Sequence, residues 1–406
     1  MGVIVQKFGG TSVADIERIQ NVAKRVAKTF DAGHDVVVIL SAMAGVTDGL
    51  ISMARRISDR PEKRELDVLL ATGEQTTAAL LAMTLIAMNY PARSLMGFQA
   101  EVRTDCAFGN ARILDINADP IRSLITGRNI VVIAGFQGHD CEGNITTLGR
   151  GGSDTSAVAI AAALKADVCE IYTDVDGVYT TDPNLCSKAR KIRNIAYDEM
   201  LEMASLGAKV LQIRSVEFAK KYNVPIHVRS SFSEEEGTMV WSEECDMERL
   251  MVSGITCSKN DARILVKGVP DKPGMAAKVL GPIAEAGIVV DMIIQSSPKN
   301  GTNDIAFTVP RTEYKAAMEI EERVAAEIGA QGVFGDESIA KVSVVGVGMK
   351  SHSGVAAKMF ATLAAENINI RMISTSEIHI SCVIVEKYAE LAVRALHTAF
   401  GLDSDL

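Results

Sequence analysis

No Cys-x-x-Cys occurs in this 406-residue chain, none of its six histidines has another four residues away, and no His-Glu-x-x-His is present. Zinc centres and zinc-peptidase chemistry therefore lose their usual ligand spacings. The seven cysteines, at 106, 141, 169, 186, 245, 257 and 382, are odd in number and dispersed, which reads as reduced thiols of a cytoplasmic protein. There is no Gly-x4-Gly-Lys-Ser/Thr loop, no Gly-x-Gly-x-x-Gly after the first strand and no Gly-x-Ser-x-Gly. Walker-type nucleotide binding, hydride transfer and serine hydrolysis lose support accordingly. No apolar run approaches membrane-spanning length; the longest, Ala78 to Met88, still contains Thr84. Residues 1–20 lack a basic segment followed by an apolar core, so no secretory signal is expected. Positive charge is not in excess: 42 Lys and Arg against 51 Asp and Glu leave −9. That argues against nucleic acid or an anionic membrane as partner, while a local phosphate site stays compatible with it.

What is present is enough apolar residue (48%) for large cores, and a length that suggests two or three domains. The chain is organised around Lys7-Phe8-Gly9-Gly10-Thr11-Ser12-Val13, read as a loop after the strand Val3-Ile4-Val5. Behind it Ile16, Ile19, Val22, Val26 and Phe30 recur at helical spacing, with Ser12 and Asp15 as a capping box. Two glycines and a lysine at a helix start suit an anion, because main-chain N–H groups can approach it and the helix dipole favours negative charge. A turn with a solvated lysine is the plainer reading.

Up to about residue 230, short β-branched runs (35–40, 129–136, 168–173, 225–229) alternate with Ala-, Leu- and Met-rich helical stretches (74–88, 153–165, 198–222). This is the pattern of an α/β domain with a largely parallel sheet, whose ligands bind beyond the carboxyl ends of the strands. Lys7, Ser41, Gln137 and Asp174 follow such ends. A second glycine-rich segment, Gly149-Arg150-Gly151-Gly152-Ser153-Asp154, opens a helix, and its arginine suits a carboxylate. Asp154 would orient Lys7 or place a magnesium-bound water. A third segment, Tyr172 to Pro183, puts aromatics and carboxylates on a strand exit, which suits a nucleotide; taken alone, structural Asp-Gly and Asp-Pro turns are the commoner reading. Glu74, after Gly73 and read as starting a helix, is either a dipole partner or a holder of a substrate ammonium. Lys209 reads as a solvated helix lysine unless the fold turns it toward phosphates.

The acidic stretch 233–249 reads as an interdomain boundary. Beyond it the sequence repeats at an offset of 80: Gly274-Met275-Ala276-Ala277-Lys278 matches Gly354-Val355-Ala356-Ala357-Lys358, and Met292 and Ser296 match Met372 and Ser376. Each unit reads strand, helix, strand, strand, helix. The first closes with a strand at 331–334, whereas the second ends without one. The strand Arg249–Thr256 is expected to complete the second unit's sheet, which inserts the first unit into the second.

These three glycine- and aspartate-bearing segments, in order, resemble aspartate kinase of the amino acid kinase superfamily, and the tandem units resemble its paired ACT regulatory domains. The resemblance covers essentially the whole chain. It implies an α/β amino acid kinase fold, a mostly parallel central sheet in an αβα sandwich at 1–245. Two ferredoxin-like βαββαβ ACT domains follow, at 262–335 and at 249–257 plus 336–406. It implies ATP- and Mg2+-dependent phosphorylation of the L-aspartate side-chain carboxylate, the first step toward lysine, threonine and methionine. By resemblance Lys7 neutralises the transferring phosphoryl, Gly9 and Gly10 give main-chain donors, and Ser41 contacts phosphate. Thr47, Glu74, Arg150 and Ser153 hold aspartate, and Asp154 organises Lys7. Thr173, Asp174, Tyr179, Asp182 and Lys209 line the nucleotide site; Asn184 stands where the family often has arginine. Asp271, Ala276 and Gln295 of the first unit, and Asn367, Asn369, Ile370, Ser376 and Glu377 of the second, would bind lysine, threonine or both. Further implications are a homo-oligomer through ACT pairing, and a regulatory-only subunit from an internal start at Met247 or Met251. Two alternatives carry a distinguishing feature each. A catalytically inactive amino-acid sensor would have lost Lys7, Glu74, Arg150 or Asp154; another amino acid kinase would lack Thr11-Ser12-Val13 and the ACT pair.

Overall fold

The first strand, β1 (Val3–Phe8), is longer than its β-branched start suggests. Lys7 pairs with Ile39 on one side and Ile171 on the other, so it lies on a buried central strand and not in the loop after it. The computed structural model describes residues 2–208, 210–242, 252–350 and 354–404. They fall into two compact units, one of 2–178, 191–204 and 210–242, the other of 179–190, 205–208 and the described residues from 252 on.

In the first unit β1 leads through a 3-10 turn (Gly10–Val13) to α1 (Ile16–Asp31) and β2 (Asp35–Leu40). There follow α2 (Val46–Ile57), α3 (Lys63–Ala87), β3 (Ala92–Leu95), β4 (Val102–Thr104), β5 (Ile113–Ile116) and α4 (Asp119–Thr126). Next come β6 (Ile130–Ala134), β7 (Gln137–His139), β8 (Ile145–Thr147), α5 (Gly152–Leu164) and β9 (Val168–Thr173). The unit closes with β10 (Asn194–Ala196), α6 (Tyr197–Ser205), α7 (Ile213–Tyr222), β11 (Ile226–Ser230) and β12 (Thr238–Trp241). The main sheet runs β10-β12-β11-β9-β1-β2-β6-β3, with only β11 and β12 antiparallel. A small second sheet runs β5-β4-β7-β8.

Strand alternation sorts the core between two faces. Val36, Val38, Leu40, Ile130 and Val132 pack with Ile19, Val22 and Val26 of α1 and with Ala78, Leu81 and Leu85 of α3. The other face is covered by α4 and α5. The α5 helix is buried nearly all round, which explains its small, Ala-rich composition. By length and composition α3 could cross a membrane, but half of its apolar window is buried in this unit, as in a soluble core helix.

Four local expectations change. Asp15 alone caps α1, accepting from Arg18 N at 2.8 Å, while Ser12 sits in the 3-10 turn with its hydroxyl 2.5 Å from that of Ser231. Glu74 does not start a helix: α3 begins at Lys63, where the Glu62 side chain caps Arg64 N and Glu65 N, and runs through Gly73. A Cβ at Gly73 would lie 2.8 Å from Ala42 Cβ, so this glycine serves a close approach and not a helix boundary. The stretch 198–222 is two helices, α6 and α7, interrupted around Gly207 at φ +121°. The acidic stretch 233–249 is not linker throughout: it contains β12, whose buried Thr238 and Val240 wedge it between β10 and β11, and the first unit's described residues end within the stretch, at 242.

The second unit holds β13 (Gly254–Ser258), β14 (Asp261–Pro270), α8 (Met275–Glu285), β15 (Ile293–Gln295), β16 (Thr302–Pro310), α9 (Tyr314–Ile328) and β17 (Gly332–Asp336). Then come β18 (Ile339–Val345), α10 (Val355–Ala365), β19 (Met372–Thr375), β20 (His379–Val385) and α11 (Ala389–Ala399). Its two antiparallel sheets run β15-β16-β14-β17 and β13-β18-β20-β19. Thus β13, which precedes the first repeat in sequence, pairs with β18 of the second. Residues 249–251 of the expected strand, and both Met247 and Met251, lie outside the described residues. A shared apolar cluster of Met292, Ala306, Ile339, Met372 and Val383 joins the two sheets.

Candidate active site

The parallel sheet carries β1, β2 and β9 side by side, so their carboxyl ends deliver residues 7–10, 41–44 and 173–174 to one edge. Lys7 Nζ lies 2.5 Å from Asp154 Oδ1, with the two side chains 10% and 11% exposed. Asp154 stands in the first turn of α5, which starts after Gly151 in the left-handed region at φ +71°. An ammonium aimed beside a helix N-terminus is a setting for a polyanion.

The glycines divide their roles. Gly9 N–H donates to Tyr172 O at 3.2 Å, so it cannot be the main-chain phosphate donor expected of it. A Cβ on Gly10 would come 2.8 Å from Ala42 O, and Ala44 N donates to Gly10 O at 3.2 Å. Gly10 therefore lets the β1 exit lie directly against the β2 exit, where Ser41 N donates to Phe8 O at 3.2 Å.

Glu74 projects from α3 beneath the same edge and is 3% exposed. Its Oε1 accepts from Ala42 N at 3.0 Å, whereas its Oε2 is buried with no partner among the described residues. Burial pushes this carboxyl up to about 7, partly opposed by the Ala42 N–H. Thr77 Oγ1 donates to Ser41 O at 2.9 Å and steadies the segment. Thr47 lies in the first turn of α2, half-buried, and Ser153 is buried at the start of α5. Arg150 is exposed between Gly149 and Gly151, both at positive φ, and forms no ion pair or hydrogen bond with the described residues. A buried carboxylate oxygen without a partner and an uncommitted guanidinium match the ammonium and carboxylate of an amino acid.

At the end of β9, Thr173 Oγ1 donates to Asp174 Oδ1 at 3.1 Å and Thr173 O accepts from Ser231 N at 2.8 Å. Tyr179 and Asp182 lie in the segment 179–190, which belongs to the second unit. There the Asp182 carboxylate accepts from Asn184 N and Nδ2 at 2.8 and 3.0 Å, closing a turn. Lys209 lies outside the described residues. Phe136 carries no signal in the sequence. It follows β6 at φ +65°, a strained conformation for a bulky residue, fixed by its N–H donating to Ser156 Oγ at 3.1 Å and its carbonyl accepting from Leu148 N at 2.9 Å. Nothing in Gly135-Phe136-Gln137-Gly138 marks that conformation in advance.

In the second unit Asp271 accepts from Asn303 Nδ2 at 3.4 Å, and Ala276, Gln295, Asn369 and Glu377 are exposed. Asn367 adopts φ +54° after α10, and Ile370 packs partly against the second core. The Ser376 hydroxyl is engaged within its own turn, 2.7 Å from His379 Nδ1.

Residues 2–230 match the Amino acid kinase family, and 262–329 and 342–400 each match the ACT domain. An aspartate kinase of Stutzerimonas stutzeri strain A1501 is 58% identical over 405 residues, covering 100% of this chain and 98% of that protein. The crystal structure of E. coli aspartokinase III with aspartate and ADP superimposes with a TM-score of 0.78 at 27% identity, covering 98% of this chain and 99% of that one. The same enzyme with lysine and aspartate gives 0.78 at 28% identity over the same shares. The chain belongs to the aspartate kinases, within the amino acid kinase family.

Proposed function

We propose that this chain transfers the γ-phosphoryl of ATP to the β-carboxylate of L-aspartate, giving 4-phospho-L-aspartate and ADP. The observation that carries the reading is Glu74, a buried carboxylate held by Ala42 N at the exit of β2, with its other oxygen unpartnered among the described residues, while the exit of the neighbouring β1 carries the Lys7–Asp154 pair. In this reading Glu74 takes the substrate ammonium, Arg150 its α-carboxylate, and Thr47 and Ser153 complete the subsite. The attacking carboxylate oxygen needs no proton removed; a new P–O bond forms as the bond to the ADP oxygen breaks. Positioning and charge neutralisation thus suffice. Lys7, aimed by Asp154, meets the charge on the transferring phosphoryl, with Gly10 and Ser41 alongside it. Thr173 and Asp174 contact the nucleotide, and Tyr179, Asp182 and Lys209 keep that assignment from the resemblance.

Magnesium would supply charge neutralisation between the phosphates. Among the described residues no group of three His, Cys, Asp or Glu side chains could hold a metal ion, so the nucleotide itself would provide most of its ligands. The kinase domain is assigned to 1–245, the first ACT domain to 262–335, and the second to 249–257 plus 336–406; the β13–β18 pairing supports the inserted arrangement.

Lysine, threonine or both act as feedback inhibitors at Asp271, Ala276 and Gln295 and at Asn367, Asn369, Ile370, Ser376 and Glu377. Support comes from the lysine complex of the E. coli relative and from the exposure of most of these residues. Inhibition requires that the effector bind one state better than another. Association through ACT pairing, optionally with a regulatory-only subunit, and a cytoplasmic location belong to the same reading; the six described cysteines are free. The inactive-sensor alternative is disfavoured by the intact Lys7–Asp154 pair. The test is ATP- and L-aspartate-dependent acyl phosphate formation, trapped as the hydroxamate, with lysine and threonine added singly and together. Turnover that needs both substrates supports the reading; effector binding without aspartate-dependent turnover overturns it.

A further inference from the structure

Resting on the reading of Arg150 as the α-carboxylate ligand, we infer that Asp67 and Arg214 are positioning residues that set its aim and thereby the selection of an α-amino acid. The hydrogen bonds of these two side chains go to Gly109, Asn110, Ala111, Thr147 and Leu148, and none goes to Lys7, Glu74, Arg150 or Asp154. Asp67 is fully buried on α3, seven residues before Glu74. Its Oδ2 accepts from Thr147 N at 2.7 Å and Gly109 N at 3.0 Å, and its Oδ1 accepts from Thr147 Oγ1 at 2.8 Å. From α7, Arg214 donates through Nη1 to Leu148 O at 2.6 Å and Asn110 Oδ1 at 3.3 Å, and through Nη2 to Ala111 O at 3.0 Å. Ala111 N closes the ring of contacts by donating to Thr147 O at 2.9 Å.

These bonds grip the two residues that lead into the Arg150 turn. Beyond them Gly149 and Gly151, at φ +76° and +71°, impose little conformation of their own, so Arg150 is aimed from two sides: by these anchors before the turn and by the start of α5 after it, where Gly152 N donates to Gly149 O at 2.9 Å and Thr155 N to Gly151 O at 3.2 Å. Seven residues is two turns of helix, about 10 Å. One rigid helix therefore fixes both the oxygen that receives the ammonium and, through Asp67, the loop that receives the α-carboxylate. Such alignment matters because a misplacement of about 1 Å in a positioning group costs on the order of a hundredfold in rate.

A merely structural carboxylate would affect both substrates alike, whereas a positioning one is specific to the amino acid. Asp67→Asn keeps all three contacts, since its amide oxygen still accepts from both main-chain N–H groups and its amide nitrogen can donate to the Thr147 hydroxyl. Asp67→Ala removes them. Arg214→Lys replaces a two-armed donor by one that cannot hold Leu148 O and Ala111 O together. The experiment compares these three with wild type after checking for a single cooperative unfolding transition. Asp67→Ala and Arg214→Lys are expected to raise KM for L-aspartate about 10- to 100-fold. KM for ATP stays within about twofold, and kcat/KM for L-aspartate α-amide, which lacks the α-carboxylate charge, falls far less. Asp67→Asn remains near wild type. Equal losses for both substrates overturn the inference. A readout free of activity is trypsin cleavage after Arg150. It accelerates in Asp67→Ala and Arg214→Lys if the anchors hold the turn; an unchanged rate overturns the inference even if the chain turns out not to use aspartate. If Asp67→Ala does not fold, Arg214→Lys carries both arms.

Discussion

Lys7 Nζ stands 2.5 Å from Asp154 Oδ1, joining the central strand to the first turn of α5 across 147 positions of sequence. The pair is nearly buried, so removing one member strands the other's charge, at a cost of roughly 3–5 kcal/mol. Lys7→Ala is expected to lower kcat by about a thousandfold or more, and Asp154→Asn by about 10- to 100-fold, through loss of the aim of the lysine. Steady-state kinetics with varied ATP and aspartate check this. An Asp154→Asn enzyme with wild-type kcat would sink the positioning role.

Glu74 makes a pH prediction whose sign follows from its burial. Its carboxyl titrates at about 7, and only the ionised form attracts an ammonium. Below that value log kcat/KM for L-aspartate should fall by one for each pH unit, while kcat at saturation is less affected because bound substrate favours the carboxylate. Glu74→Gln should remove this limb and lower kcat/KM at pH 8 by about a hundredfold. A mutant that keeps the acid limb would assign the titration to another group.

How far the sequence disclosed this site depended on whether each feature is local. The alternation of β-branched runs with Ala-rich helices, the two glycine-rich helix starts and the offset of 80 are written in neighbouring residues, and the parallel sheet and paired ACT units follow from them. The strand β12 is not so written, because its acidic flanks mask the two buried positions that decide its pairing. Glu74 reads as a helix start only because Gly73 reads as punctuation; the reason for that glycine is the Cβ of Ala42, 31 residues earlier. Phe136 and Asp67 depend on partners 12 to 80 residues away, which no periodicity reports.

Gly9 and Gly10 are adjacent but should differ sharply on substitution. A methyl at Gly9 would meet Lys7 Nζ at 3.5 Å, an ordinary contact, and Gly9 has an extended backbone that alanine adopts readily. A methyl at Gly10 would lie 2.8 Å from Ala42 O, a main-chain atom that cannot swing aside. Gly9→Ala should stay within about fivefold of wild-type kcat/KM, whereas Gly10→Ala should lose about a hundredfold or more, since it separates the two strand exits that frame Lys7. Similar losses in both variants would show that the Gly9 main chain has a role beyond its bond to Tyr172 O.

Glu321 tests the regulatory half through stability. It lies on α9 with 0% exposure, and neither carboxyl oxygen has a partner among the described residues. Burial raises its pKa from 4.5 to about 7, so the folded state prefers the protonated acid more strongly than the unfolded chain does. The resulting stability is fully present below pH 4.5 and is lost as pH rises through about 7; the shift corresponds to on the order of 3 kcal/mol at most. Glu321→Gln, neutral at every pH, should flatten the decline between pH 5 and 8, and Glu321→Leu should unfold later than wild type at pH 8. Denaturant unfolding at a series of pH values checks both. Parallel curves for wild type and Glu321→Gln would mean that Glu321 finds a compensating partner when ionised.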